Sequence, residues 1–211
     1  MTEQLMVKQE RAARTRDTLI RSAAEIFDRE GFAVASLTAI TTHAGVSNGA
    51  LHHHFVSKAA LTDAVEGAAL ARLMAVTEAV LPLGASRMQV LVDVTHRLAE
   101  ALRGDVVLRA GFELNREASR PPHADLCEWW RRWVEETLKQ VEAEDELGPG
   151  VVAADVVNAV VAATVGFEVL GARDAEWLSA STVSRFWRLL LPTVVPARLL
   201  ANLDPDGPRL P

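Results

Sequence analysis

Apolar residues recur along this chain at spacings of three and four, the period of an amphipathic helix, and no stretch alternates like a strand. Leu19, Ile20, Ala23, Ile26 and Phe27 form a first stripe, on a helix expected from near Thr15 to Glu30 and stopped by Gly31. Residues before it are expected to be a frayed arm. Leu37, Ile40, Thr41 and Ala44 form a second, short stripe behind Ser36, which can cap a helix. Leu51 and Phe55 form a third behind Ser47. The pattern then predicts helices over residues 58–80 (broken by Pro82 and Gly84), 86–102, a stretch after Asp105 through Leu114, 124–144, 151–171 and 179–191. Pro192 and Pro196 punctuate the end, and a short turn covers 197–203. The fold class is all-α.

Ser36 to Phe55 organises the rest. Gly45 falls where the chain must turn, because glycine takes positive φ without steric cost. Two short helices joined by such a turn are a helix-turn-helix, whose second helix can enter a DNA major groove. An ordinary αα-corner would show the same periodicity. What favours DNA is the restart at Ser57-Lys58, a helix N-terminus beside a lysine, which suits a phosphate. The expected DNA-facing set is Ser36, Thr38, Ser47, Asn48, Gly49, His52, His53 and Lys58. In that set Asn48 reads bases and Lys58 clamps phosphate.

Net charge of −6 over 211 residues argues at first against a nucleic-acid partner, but its distribution does not. Seven of the 22 Lys/Arg and six of the 28 Asp/Glu precede residue 61, so the acid excess lies beyond. An N-terminal part with basic Lys8, Arg11, Arg14 and Arg16 on an acidic remainder suits DNA binding joined to sensing. Hydrophobic content of 49% supports a sizeable core, and a single cysteine, Cys127, fits a reducing cytoplasm. Residues 1–16 hold no apolar run, so no secretory signal is expected. The apolar stretch 151–172 carries Asp155, Asn158 and Glu168 and reads as a buried helix rather than a membrane span.

No enzyme motif occurs, and neither a cofactor nor a metal is expected. His52, His53 and His54 point about 100° apart on a helix, so three in a row cannot chelate one ion. Trp129 and Trp133 share a face while Trp130 lies a third of a turn around. Core packing accounts for most tryptophans, yet three in five residues offer an aromatic wall with N–H donors for a small apolar ligand carrying carbonyls.

AGVSNGALHHHFVSKAAL resembles the tetracycline-repressor (TetR) family pattern, over roughly Arg16 to Leu61. That resemblance implies a three-helix DNA-binding domain at 1–57, a ligand-binding and dimerisation domain at 58–211, and a homodimer on a (pseudo)palindromic operator. It also implies His54 packed under the recognition helix. The family commonly has Tyr at the position of His52, where it touches a backbone phosphate; the imidazole here is shorter. VVLRAGFEL (106–114), RPP (120–122), CEWWRR (127–132) and TVGFEVLGA (164–172) resemble the γ-butyrolactone receptors and pseudo-receptors. This narrower likeness implies a cavity lined by Trp129 and Thr164, with Trp133 nearby and Ala69 where a glutamine is common. The effector would be a γ-butyrolactone, a butenolide or furan, or an antibiotic-like molecule. The dimer is expected through 151–171 and 179–191, where Ala153, Ala159, Ala163 and Gly166 allow close approach. The expected function is a cytoplasmic ligand-released repressor. The other reading is a small-molecule-sequestering protein with weakened DNA binding.

Overall fold

A computed structural model of the chain describes residues 2–78 and 86–208. Among these there is no strand. The first helix, α1 (Thr2–Glu30), runs 29 residues without interruption, so the expected frayed arm is helical instead. Its cause is local: no Gly or Pro falls between Thr2 and Glu30, and Glu10 and Arg14 pair one turn apart. Gly31 ends it with φ of 82°.

Three helices follow in quick succession: α2 (Leu37–Ala44), α3 (Asn48–His54) and α4 (Lys58–Glu78). The break expected at Pro82 and Gly84 lies outside the described residues. Beyond it come α5 (Arg87–Gly104), α6 (Val106–Asn115), α7 (Leu126–Ala143), α8 (Ala153–Gly171), α9 (Ala180–Val194) and α10 (Ala197–Leu200). A 3-10 turn at Ala175–Leu178 was not foreseen, because four residues carry no readable period. Pro192 was expected to stop α9 and does not. It sits in the last turn, where losing one N–H costs a single bond, and Val195 N–H still reaches the carbonyl of Leu191 at 3.0 Å.

The helices gather into two compact units that do not divide after residue 57. One comprises Met1–Arg72 with Val106–Leu126; the other comprises Leu73–Asp105 with Cys127–Pro211. In the first, α6 joins α1 and α4 for two physical reasons. Gly111 lets α6 approach so closely that a Cβ there would lie 2.2 Å from the Cβ of Ala69. Arg109 also closes a two-pronged bond on Asp28, 3.0 Å on each prong. The core of this unit is Leu19, Ile26, Phe27, Ile40, Leu51 and Leu61, all essentially solvent-free.

The second unit buries its large aromatics with their polar ends satisfied. The Trp187 indole donates to Thr95 Oγ1 at 2.6 Å, and the Trp130 indole donates to Thr164 Oγ1 at 2.8 Å. Glu146 fastens the start of α5, accepting from Ser86 Oγ and the Met88 amide at 2.9 Å each. The expectation that α8 is buried is overturned. Only the face of Val156, Val160, Thr164 and Glu168 points inward, and 28% of its apolar window is covered. Val169 and Leu170 are 40% exposed, and Leu189 on α9 is 78% exposed. By length and composition α8 could cross a membrane, with mean hydropathy 1.6. Its inward face is nevertheless packed against protein.

Candidate nucleic-acid interface and ligand site

The helix-turn-helix is built by caps. Ser36 Oγ accepts from the Ala39 amide and Ser47 Oγ accepts from the Ala50 amide, each at 3.1 Å, so both serines fix helix starts. Gly45 turns the chain at φ of 66°, where its amide and that of Val46 return to the carbonyls of Thr42 and Thr41. Buried Thr41 then bridges the turn, donating to Asn48 Oδ1 at 2.9 Å and fixing the first residue of α3. Leu51 and Phe55 anchor α3 from beneath, 0% and 4% exposed. The Arg16 guanidinium lies over the Phe55 ring, 5.4 Å from its centroid.

That anchoring leaves the opposite face outward. Ser36, Thr38, Ser47, Asn48, Gly49, His52 and His53 are all solvent-exposed. His54 is half-buried, between the rings of His53 and Phe55. Among the described residues, no three His, Cys, Asp or Glu side chains gather to hold a metal. At the edge of α2, His43 Nε2 meets Glu25 Oε2 at 2.7 Å, and this bond holds the Glu25 carboxyl below its usual range.

Lys58 departs from expectation. Its ammonium turns inward, donates to the Phe32 carbonyl at 2.6 Å and lies 4.3 Å from the centroid of the Phe32 ring. Loss of water around it lowers its pKa. Phe32 lies before α2 and Lys58 after α3, so this contact pins the two ends of the helix-turn-helix together.

Sequence reasoning missed Glu66. It stands on the buried face of α4 with Thr62, Ala69 and Leu73, and its side chain is fully covered. Arg120 forks onto it, Nη1 to Oε1 and Nη2 to Oε2, each at 2.9 Å, and Nη2 also reaches Asp63 Oδ1 at 2.9 Å. The His123 amide and Asn115 Nδ2 complete the shell at 2.8 and 3.3 Å. Burial alone would raise the Glu66 pKa; Arg120 and these donors outweigh it and hold the carboxyl low. The signal was legible: a lone acid in an apolar stripe needs a cation.

The expected ligand residues are placed unequally. Trp129 and Trp133 are half-exposed, while Trp130 is 1% exposed, stacks on Trp133 at 5.3 Å and makes the bond to Thr164. The overlooked clue is the stripe Leu126, Trp130, Val134, Leu138 and Val141, spaced four, four, four and three. Ala69 is buried against Gly111 in the first unit, so its small size serves helix packing.

Residues 19–65 match the model of bacterial regulatory proteins, tetR family. The chain is 29% identical over 208 residues to the A-factor receptor protein of Streptomyces griseus, covering 96% of this chain and 71% of that one. A crystal structure of a gamma-butyrolactone receptor (ArpA-like protein) superimposes with TM-score 0.76 at 27% identity, over 91% of this chain and 93% of the other. CprB from Streptomyces coelicolor, solved in complex with its biological operator sequence, superimposes with TM-score 0.77 at 28% identity, over 91% and 94%. Residues 19–65, which hold the helix-turn-helix, thus match the tetR family of bacterial regulatory proteins, and the chain is similar along nearly its whole length to the A-factor receptor protein and the gamma-butyrolactone receptors.

Proposed function

We propose that this protein is a cytoplasmic, ligand-released repressor that acts on chromosomal DNA as a homodimer. The observation carrying this reading is the helix-turn-helix itself. Its apolar face is locked by Leu51 and Phe55, while seven polar or small residues of α2 and α3 are left exposed. In function, residues 1–57 supply the DNA contact and 58–211 the sensing and pairing. Each protomer sets Asn48 to His53 in a major groove, with half-sites roughly 34 Å apart. The pairing surface is the bare apolar face of α8 and α9, including Val169, Leu170 and Leu189. An uncovered face of this kind is costly in water and fits a second copy of itself.

The effector in this reading is a small amphipathic molecule with a carbonyl, of the γ-butyrolactone, butenolide or furan class. Trp130 and Thr164 are its polar contacts, with Trp129 and Trp133 as aromatic wall. A ligand carbonyl that takes the Trp130 N–H replaces Thr164 as acceptor, so binding and rearrangement of α7 against α8 are one event. By reciprocity, DNA then weakens the ligand by the same factor. Selecting bound fragments from genomic DNA, then titrating the complex with a γ-butyrolactone, tests both halves. A single recovered palindrome and its release support the reading, and failure to enrich any sequence overturns it.

Two observations favour the sequestering alternative: Lys58 is spent inside the fold, and His52 is shorter than a tyrosine. A protein of that kind would bind the lactone with unchanged affinity whether or not the recovered DNA were present.

A further inference from the structure

We propose that Glu66 and Arg120 are positioning residues for the recognition helix, so that the segment between α6 and α7 works as part of the DNA-binding domain. The inference rests on the DNA-binding reading above but is decided by a measurement that needs no DNA. Its starting point is the contact between Phe32 and Lys58, which ties the chain just before α2 to the chain just after α3. That contact has a third layer. The Arg120 guanidinium lies 5.9 Å from the centroid of the same Phe32 ring. From there it reaches α4 at two successive places, Asp63 and Glu66, with three bonds of 2.9 Å.

One side chain therefore touches the ring that closes the helix-turn-helix and the helix that follows it. A guanidinium is suited to this, since its planar fork fixes direction where an ammonium fixes only a point. Arg120 is itself held. The Asn115 amide accepts from the Leu126 amide at 2.5 Å and donates to the Ala124 carbonyl at 2.9 Å, closing residues 115–126 into a loop. The His123 amide joins that loop to Glu66. Glu66 receives four donors on two oxygens, so no part of the buried carboxylate is left unsatisfied. A carboxylate buried only for stability would be replaceable by an apolar pair of similar volume. One that positions a neighbour would not be.

That difference is the test. The double variant Glu66→Leu/Arg120→Met removes the charges without leaving either one unpaired, and Arg120→Lys keeps the charge but loses the fork. Thermal unfolding gives stability, and amide hydrogen exchange is followed separately in α2–α3, in 115–126 and in α9. We expect the double variant to melt close to the parent while its α2–α3 amides exchange about tenfold faster or more, with α9 unchanged. Arg120→Lys falls between. Operator affinity, measured on the duplex recovered from genomic selection, should fall about tenfold with the same dependence on salt, since Arg120 touches no phosphate. Faster exchange confined to 115–126, with α2–α3 protected as in the parent, overturns the proposal. So does a salt slope reduced by about one, which marks a direct phosphate contact. If the parent binds no duplex at all, the operator reading fails and the exchange data still decide this one.

Discussion

The two compact units solve the same problem, how to hold helices together, with different chemistry. In the first, charged groups reach between elements: Arg120 to Glu66 and Asp63, Arg109 to Asp28, Lys58 to the Phe32 carbonyl. In the second, the large buried aromatics close neutral indole–hydroxyl pairs, Trp130 with Thr164 and Trp187 with Thr95, and the buried Glu146 carboxylate is met by neutral donors rather than by a cation. Charged forks dictate direction, and a domain that must present α3 at a fixed angle benefits from that. Neutral aromatic packing tolerates exchange of one partner for another, which suits a region that admits a ligand. The contrast assigns precision to one unit and adaptability to the other.

Removing one partner of a charged clasp should give the largest effect. Arg120→Ala strands the Glu66 carboxylate in a fully covered position and should cost about 3–5 kcal/mol of the first unit's stability in urea titration. If the cost were under about 1 kcal/mol, as for a surface pair, the contrast between the units would collapse. Next comes the bare face of the second unit. Leu189→Glu or Leu170→Glu should leave helix content intact but shift the protein to monomer in sedimentation, weakening operator binding about a hundredfold. Persistence of the dimer would move pairing to another surface.

Acid should separate the units by sign. The folded Glu66 carboxyl sits below its ordinary 4.5, so its contribution is complete above that pH and fades as pH falls through the folded value. Glu25, held low by His43, adds in the same direction. Asp93 in the second unit is pushed up from 3.8 by burial, which the Gln89 bond and the charges of Arg97 and His96 do not fully offset. Its contribution is therefore present below 3.8 and lost as pH rises. Exchange measured as pH is lowered from 4.5 should show the first unit loosening first, and Glu66→Gln should remove part of that slope.

Smaller effects refine the ligand site. Trp130→Phe keeps most of the ring but leaves Thr164 without its donor, a loss of about 1 kcal/mol in thermal unfolding; Trp129→Phe should change stability by less than about 0.5 kcal/mol. In ligand release the same order should hold, Trp130→Phe raising the half-effect concentration about tenfold. A larger shift from Trp129→Phe would restore that residue as the carbonyl contact. Lys58→Ala should cost about 1 kcal/mol of stability and leave the salt slope of DNA binding unchanged. A slope reduced by about one would show that the ammonium swings out to phosphate in the complex.

Much of this was legible from residues alone. Helix positions followed from apolar spacing, and the turn followed from Ser36, Gly45 and Ser47, because caps and positive φ are local properties. What escaped reading was nonlocal or misweighted. The continuation of α1 to Thr2 rests on the absence of a breaker rather than on any signal. The clasp joins residues 54 apart in sequence, and only the odd placement of Glu66 hinted at it. The resemblance to the γ-butyrolactone receptors points to Trp129, although the stripe through Leu126 and Val134 marks Trp130 as the buried one. Lys58 was read from its place at a helix start, while the aromatic ring that draws it inward lies 26 residues earlier.

The uncovered flank of α8 carries a consequence for copy number. If folding of this helix is completed only by a second copy, the melting temperature should climb with protein concentration, as it does when a fold and its association share one equilibrium. In a cell, the active species would then scale with the square of the amount synthesised as long as monomer predominates. A modest drop in expression would silence the regulator more steeply than its affinity for DNA suggests, and a modest rise would restore it as abruptly.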